Sequence, residues 1–201
     1  MKFACLDFET ANHRHTSICA AGLAVFDDGE LIETRHWLVR PPKGSGWFLD
    51  KFIAIHGITH MDVQTAPEFP AIALELFAYL SAAEVVVAHN AEFDMGKLRA
   101  TTAHYGLECP KFNYLCTLAL SRRVWPELPN HQLDTVAAHI GHQFRHHHAQ
   151  EDAEAAGWVL LAMITQSGIN STSILSLTEF SATPYRPHEY LSRETELRDP
   201  D

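Results

Sequence analysis

Residues 85–94 read VVVAHNAEFD. Three valines and an alanine make a short apolar run suited to a strand buried on both faces, and the run passes directly into a histidine, an asparagine and two acids. Such residues are ordinary at strand ends and helix caps. They are also what a strand delivers to a site, and in that case the acids need partners elsewhere in the chain.

Upstream, KFACLDF (residues 2 to 8) and ICAAGLAVF (18 to 26) read as two strands. Asp28-Gly29 reads as a hairpin turn into a third strand, ELIETRHWLV (30 to 39). A breaker-rich loop, RPPKGSG, leads to the short aromatic segment WFLDKFIAIHG, expected to be partly helical. EFPAIALELFAYL then carries apolar residues at helical spacing through Leu80. A fourth strand is expected at 84 to 88, a helix from about Glu92 to Tyr105, a fifth strand near 112 to 116, and helices at 117 to 123, 131 to 140 and 149 to 166. A hairpin-rich beginning followed by alternating helices and strands predicts an α/β fold with a mixed sheet covered by helices.

The 201 residues suit one good-sized domain, or one domain and an extension. Beyond Gly168 the sequence turns polar, carries Pro184, Pro187 and Pro200 and loses any period. The expected division is a domain over 1–168 and an extended or partner-binding tail over 169–201, with Leu175, Leu177, Phe180 and Tyr185 as residues that could lie against the core.

At 46% hydrophobic and 20% charged residues, the composition is that of an ordinary globular protein. No apolar run approaches the roughly 20 residues that span a membrane, and the opening MKFACLDFET has acids where a signal peptide has its apolar core. The sequence therefore predicts a cytoplasmic protein with no membrane partner. Cys5, Cys19, Cys109 and Cys116 form no C-x-x-C pair and read as reduced, mostly buried thiols. A formal charge of -10 opposes indiscriminate binding to long nucleic acid. It leaves room for an enzyme that neutralises phosphate locally with cations.

Asp7 and Glu9 are one residue apart on the first strand and leave the sheet on one face, while Leu6 and Phe8 point the other way. At about 5 Å and an effective dielectric of about 20, two ionised carboxylates repel by roughly 3 kcal/mol. Asp94 follows the apolar run at 85–88 in the corresponding position, so parallel pairing of the two strands brings all three acids to one sheet edge. Asp152 lies in the first turns of the last long helix, and His147, five residues earlier, falls in the segment leading into it. Carboxylates from three elements make hard-cation ligands, suited to two magnesium or manganese ions. His147 is then the candidate base, because imidazole titrates near neutrality. His146 and His148 carry the opposite expectation of an idle surface run. Zinc held by the three histidines is the competing metal reading, and it needs an awkward backbone for adjacent residues to converge.

Three motifs, LDFET (6 to 10), HNAEFD (89 to 94) and HHAQED (147 to 152), together resemble the DEDDh family of 3'-5' exonucleases. This is the DnaQ-like group that includes the proofreading subunit of bacterial DNA polymerase III, and the likeness runs from residue 3 to about 166. It implies a ribonuclease H-like fold with a mixed five-stranded sheet. By the same likeness Asp7, Glu9, Asp94 and Asp152 hold two metal ions, His147 is the general base, and HGIT (56 to 59) lies near the substrate. The chain departs from many relatives in following Thr10 with Ala11-Asn12 where they have glycine, and in carrying Cys116 where they often have an aspartate.

Thr10 and Ala11 offer a hydroxyl and a backbone amide to a terminal 3'-hydroxyl. His56 either touches phosphate or sugar or caps a helix. His89 begins the second motif, Asn90 is expected to fasten backbone through its amide, and Phe93 reads more readily as core than as a wedge under a base. Trp47 and Phe48 either stack a base or anchor their loop. The basic residues Lys97, Arg99, Lys111, Arg122 and Arg123 are too scattered for a continuous track, so the grip is expected to cover a few nucleotides. The expected activity is hydrolysis of single-stranded or frayed DNA or RNA from the 3' end, releasing nucleoside 5'-monophosphates. A polymerase or other protein is an expected partner for the tail. The alternatives are an exoribonuclease for short RNA, a non-catalytic nucleic-acid-binding subunit and a structural zinc protein.

Overall fold

The computed structural model describes residues 1–167; the expected boundary at 168 and the tail at 169–201 lie outside the described residues. Strands β1 (Lys2–Thr10), β2 (Ile18–Asp27) and β3 (Glu30–Leu38) form the expected meander. Its tight turn has positive φ at both Asp28 and Gly29, as the right-handed twist of a two-residue hairpin favours. Then come α1 (Asp50–His56), α2 (His60–Val63), α3 (Phe69–Ala82), β4 (Val85–Ala88), α4 (Ala91–Tyr105), β5 (Tyr114–Cys116), α5 (Thr117–Val124), α6 (Leu133–His139) and α7 (Ala149–Ser167). The one-turn helix α2, closed by a reciprocal capping box between Thr59 and Asp62, is too short to show a period in the sequence.

The sheet order is β3-β2-β1-β4-β5. β1 pairs antiparallel with β2 and parallel with β4, and β5 is parallel to β4. This is the expected mixed five-stranded sheet flanked by helices. β1 is central, and its side-chain alternation feeds two cores. Ala4, Leu6 and Phe8 join Leu76 and Leu80 of α3 and Met95 and Leu98 of α4. Phe3 and Cys5 join Ala153, Ala156, Val159 and Leu160 of α7 on the other face. Full burial of each such leucine, valine or phenylalanine contributes about 1.5 to 3 kcal/mol. Asp7 and Glu9 continue the Phe3-Cys5 face, so they are aimed at the end of α7 that carries Asp152.

Two close approaches seat α7. A methyl group on Gly157 would overlap the ring of Phe26, and one on Gly22 would overlap the carbonyl of Ala149 and the amide nitrogen of Gln150. Gly22 is the register partner of Asp7. Backbone lies against backbone there, so no rotamer change relieves the overlap. Gly22→Ala is therefore expected to push the first turn of α7 off the sheet, destabilising the protein by about 1 to 3 kcal/mol. Denaturant unfolding checks this; an unchanged midpoint would mean that α7 is not seated through Gly22.

Candidate active site

β4 ends its pairing with β1 at Cys5↔Val87, three residues short of Phe8. Beyond that point the amide of Phe8 donates to Asp94 Oδ1 at 2.9 Å, so the acid of the second motif takes the place of a missing strand partner. Asp94 reaches this position because Asn90 turns the chain through the left-handed region, φ 62°, directly into α4. Asn90 is exposed and makes no side-chain capping bond. Its part is conformational, which an asparagine tolerates better than most residues, and the expected fastening through its amide is not what the structure shows.

Ligand atoms of Asp7, Glu9 and Asp152 lie within 4.8 Å of one another. Asp94 is 1% exposed and falls outside that group, yet is close enough for Asp7 and Glu9 to disfavour its ionisation. Burial raises the carboxyl pKa of all four. Asp7 rises to about 7, Glu9 to about 9 with Asp7 and Asp152 adding repulsion, and Asp152 to about 8 against the backbone amides of His147 and His148. Asp152 Oδ1 is buried without a hydrogen-bond partner. An orphaned carboxylate oxygen among crowded acids, all of them oxygen donors, is the chemistry of a hard-cation site. The residues present fit magnesium or manganese.

A second group, His146, His147 and Asp152, shares the last acid. His147 has φ 64°. That turn stacks the rings of His146 and His147 at 3.9 Å and brings His146 Nε2 to 3.6 Å from Asp152 Oδ1. His146 is half-buried against Asp152, while His148 stays out of the group and stacks on His36 at 4.5 Å, so the three histidines do not converge. Burial lowers the pKa of His147 below the ordinary histidine value, partly opposed by Asp134, so the ring is mostly neutral at neutral pH.

These groups open onto a cleft of about 550 Å³. Of the residues expected to contact substrate, Thr10, His56, His89, Asn90 and Phe93 line it. Ala11 does not: it is buried, and its amide donates to the Ser17 carbonyl at 2.8 Å, so the expected free donor is occupied. His56 is held by Nε2 against the Thr10 carbonyl at 3.1 Å and accepts the Ile58 amide at Nδ1. His89 has both nitrogens engaged, with Thr117 Oγ1 and the His131 carbonyl, each at 2.9 Å, and burial pushes its pKa down to about 4. Phe93 is 41% exposed with the Lys97 ammonium over its ring at 4.9 Å. It is a cleft residue and not the core residue its apolar character indicated.

Sequence reasoning missed Phe52, Ile55, Leu118, His131, Gln132, Leu133 and Asp134, which with Phe8 complete the lining. The available signal was the polar run NHQLD at the start of α6, which gathers ionisable and amide groups at a helix N-terminus.

A sequence model of a family described as exonuclease matches residues 4–160. The chain is 28% identical over 169 residues to the 3'-5' exonuclease DinG of Bacillus subtilis (strain 168), covering 81% of this chain and 18% of that protein. It is 30% identical over 178 residues to the PolC-type DNA polymerase III of Caldanaerobacter subterraneus subsp. tengcongensis, covering 86% of this chain and 12% of that one. The chain thus spans less than a fifth of these curated relatives. A solved structure of Exonuclease X in complex with 5' overhanging duplex DNA shares the fold at a TM-score of 0.70 and 22% identity, over 88% of this chain and 99% of the other.

Proposed function

The chain belongs to the exonuclease family, and on that ground we propose that its cleft hydrolyses phosphodiester bonds at the 3' end of single-stranded or frayed nucleic acid. The observation that carries the reading is the convergence of Asp7, Glu9 and Asp152 with His147 at one sheet edge. In this reading Asp7, Glu9, Asp94 and Asp152 hold two magnesium or manganese ions. When bound, such cations neutralise phosphate charge, acidify a water and stabilise a departing oxygen.

The residues of the chain do the rest. A neutral ring nitrogen of His147 takes the proton of the attacking water. As the new bond to the terminal phosphorus forms, the bond from phosphorus to the neighbouring nucleotide's 3'-oxygen breaks, and that oxygen leaves to end as a hydroxyl. The product is a nucleoside 5'-monophosphate. Phe93 supports the terminal base or sugar at the cleft mouth, with Lys97 on its ring and its remaining surface open to the cleft. Asp94 fixes the turn after β4 against β1 through the Phe8 amide, holding the acids in register. DNA is the favoured substrate, because one of the two relatives above is a DNA polymerase and the solved structure is a DNA complex. A polymerase or another protein is the proposed partner of residues 169–201.

Oligonucleotides of one sequence, as DNA and as RNA, blocked at the 3'-hydroxyl or at the 5' end, test the reading in magnesium or manganese. The 3'-blocked DNA is expected to survive while the 5'-blocked DNA is consumed. Equal loss of both points to an endonuclease, and faster loss of RNA moves the substrate to short RNA.

A further inference from the structure

We propose that Arg14 and Trp47, presented by segments that Asn12 and Lys97 hold in place, seat the single strand upstream of the scissile phosphate, with Arg14 on a phosphate and Trp47 against a base. The seat rests on the function proposed above and extends it to the part of the substrate that the cleft does not hold.

The loop between β1 and β2 carries the run His13-Arg14-His15, all three exposed. Its backbone is fixed from inside the protein. Asn12, fully buried, accepts the Arg14 amide on Oδ1 at 2.9 Å and donates from Nδ2 to the carbonyls of Ser45 and Trp47 at 2.9 and 2.6 Å. One buried side chain thus ties the backbone of Arg14 to that of Trp47. The Arg14 carbonyl in turn accepts the Ser17 hydroxyl at 2.7 Å and the Lys97 ammonium at 3.3 Å.

On this frame the Arg14 guanidinium lies over the Trp47 ring, 5.7 Å from its centroid, and Trp47 is 45% exposed. Among the described residues Arg14 forms no ion pair, whereas Arg35, Arg40 and Arg145 are each paired with a glutamate. In a chain of formal charge -10, a guanidinium set on an open indole and left without a carboxylate is complementary to a phosphate with its base stacked alongside.

Two contacts join this pair to the cleft. The Lys97 ammonium that holds the Arg14 carbonyl also stands over Phe93, and the His13 ring meets Phe52 edge-on at 5.1 Å. Phe52 and Phe93 both line the cleft. The rim made by His131, Gln132 and Asp134 carries a carboxylate, so a strand leaving the cleft is repelled there and attracted on the Arg14 side. Lys97 and Arg14 are 83 residues apart in sequence, and folding brings together cations that look scattered along the chain.

Hydrolysis of a DNA dinucleotide and a DNA hexanucleotide in magnesium is compared for wild type, Arg14→Gln and Trp47→Ala. Wild type is expected to prefer the hexanucleotide in kcat/KM. Each variant, with unchanged melting, is expected to lose about 5-fold or more of that preference, through KM and not kcat. Fluorescence anisotropy with a hydrolysis-resistant phosphorothioate hexanucleotide separates the two roles. Arg14→Gln should reduce the slope of log affinity against log salt by about 0.7, the share of one single-strand phosphate contact. Arg14→Lys, which keeps the charge, should keep the slope, and Trp47→Ala should weaken binding at an unchanged slope. A wild-type preference in either variant, equal losses on the two substrates, or a wild-type salt slope in Arg14→Gln overturns the proposal. If wild type hydrolyses neither substrate, the function fails and the salt slopes alone decide the seat.

Discussion

Asp7→Ala is expected to lower metal-dependent hydrolysis by about 1,000-fold or more, since it removes one of the three clustered ligands that position charge stabilisation in the transition state. The fold should survive, because the change removes a crowded carboxylate and leaves the apolar residues of both cores in place. Stability in a chelating buffer should move the other way. The folded-state pKa of Asp7 is raised by burial to about 7, against about 3.9 in an unfolded chain. The native state therefore binds the proton more tightly, and its stability falls as pH rises from about 4 through neutrality. Glu9 and Asp152 extend that fall upward, to about 9 and 8. Removing Asp7 takes one group out of this sum and relieves its neighbours. The metal-free variant should thus melt above wild type at pH 8 and close to it at pH 4, with each kcal/mol relieved worth about 2 to 4 °C in a domain of this size. Wild-type turnover in a variant with intact melting would remove the carboxylate cluster from the mechanism.

His147→Ala is expected to keep cation and substrate binding, because the four carboxylates remain, and to lose about 100-fold to 10,000-fold in turnover. In wild type the rate should rise with pH through an apparent pKa at or below the ordinary histidine value, the direction in which burial moves this ring. That limb belongs to the coupled assembly of base and carboxylates, and it should disappear in the variant. His146→Ala and His148→Ala, measured in the same magnesium buffer, serve as controls that remove a ring one position away. If either control falls as far as His147→Ala, or if His147→Ala keeps the wild-type rate and pH profile, the base is misassigned.

The acids were legible because a strand alternates strictly. Once KFACLDFET is a central strand, Asp7 and Glu9 must share a face, and the parallel pairing of β4 with β1 carries Asp94 to the same edge. α7 was legible from its apolar period, and with it the place of Asp152. The turn between them was not. Whether His146 and His147 splay or stack depends on the φ angle at His147, and no residue pattern fixes that angle. Ala11 and Phe93 failed for a related reason. Burial of a residue beside a sheet edge is decided by what the next loop covers: Ser17 and Leu49 close over Ala11, while the chain around Phe93 leaves its ring at the cleft mouth. His131 and Asp134 come from the loop before α6 and from its first turn; the polar run marks them, and tertiary packing decides that they face the site.

The most direct test of the account follows a 5'-end-labelled single-stranded DNA oligonucleotide, incubated with the purified chain and magnesium, over time and identifies the released products by mass. A ladder shortening one nucleotide at a time from the 3' end is expected, with nucleoside 5'-monophosphates as the released species. Internal fragments from the earliest times, nucleoside 3'-monophosphates, or an intact oligonucleotide in both magnesium and manganese would contradict it.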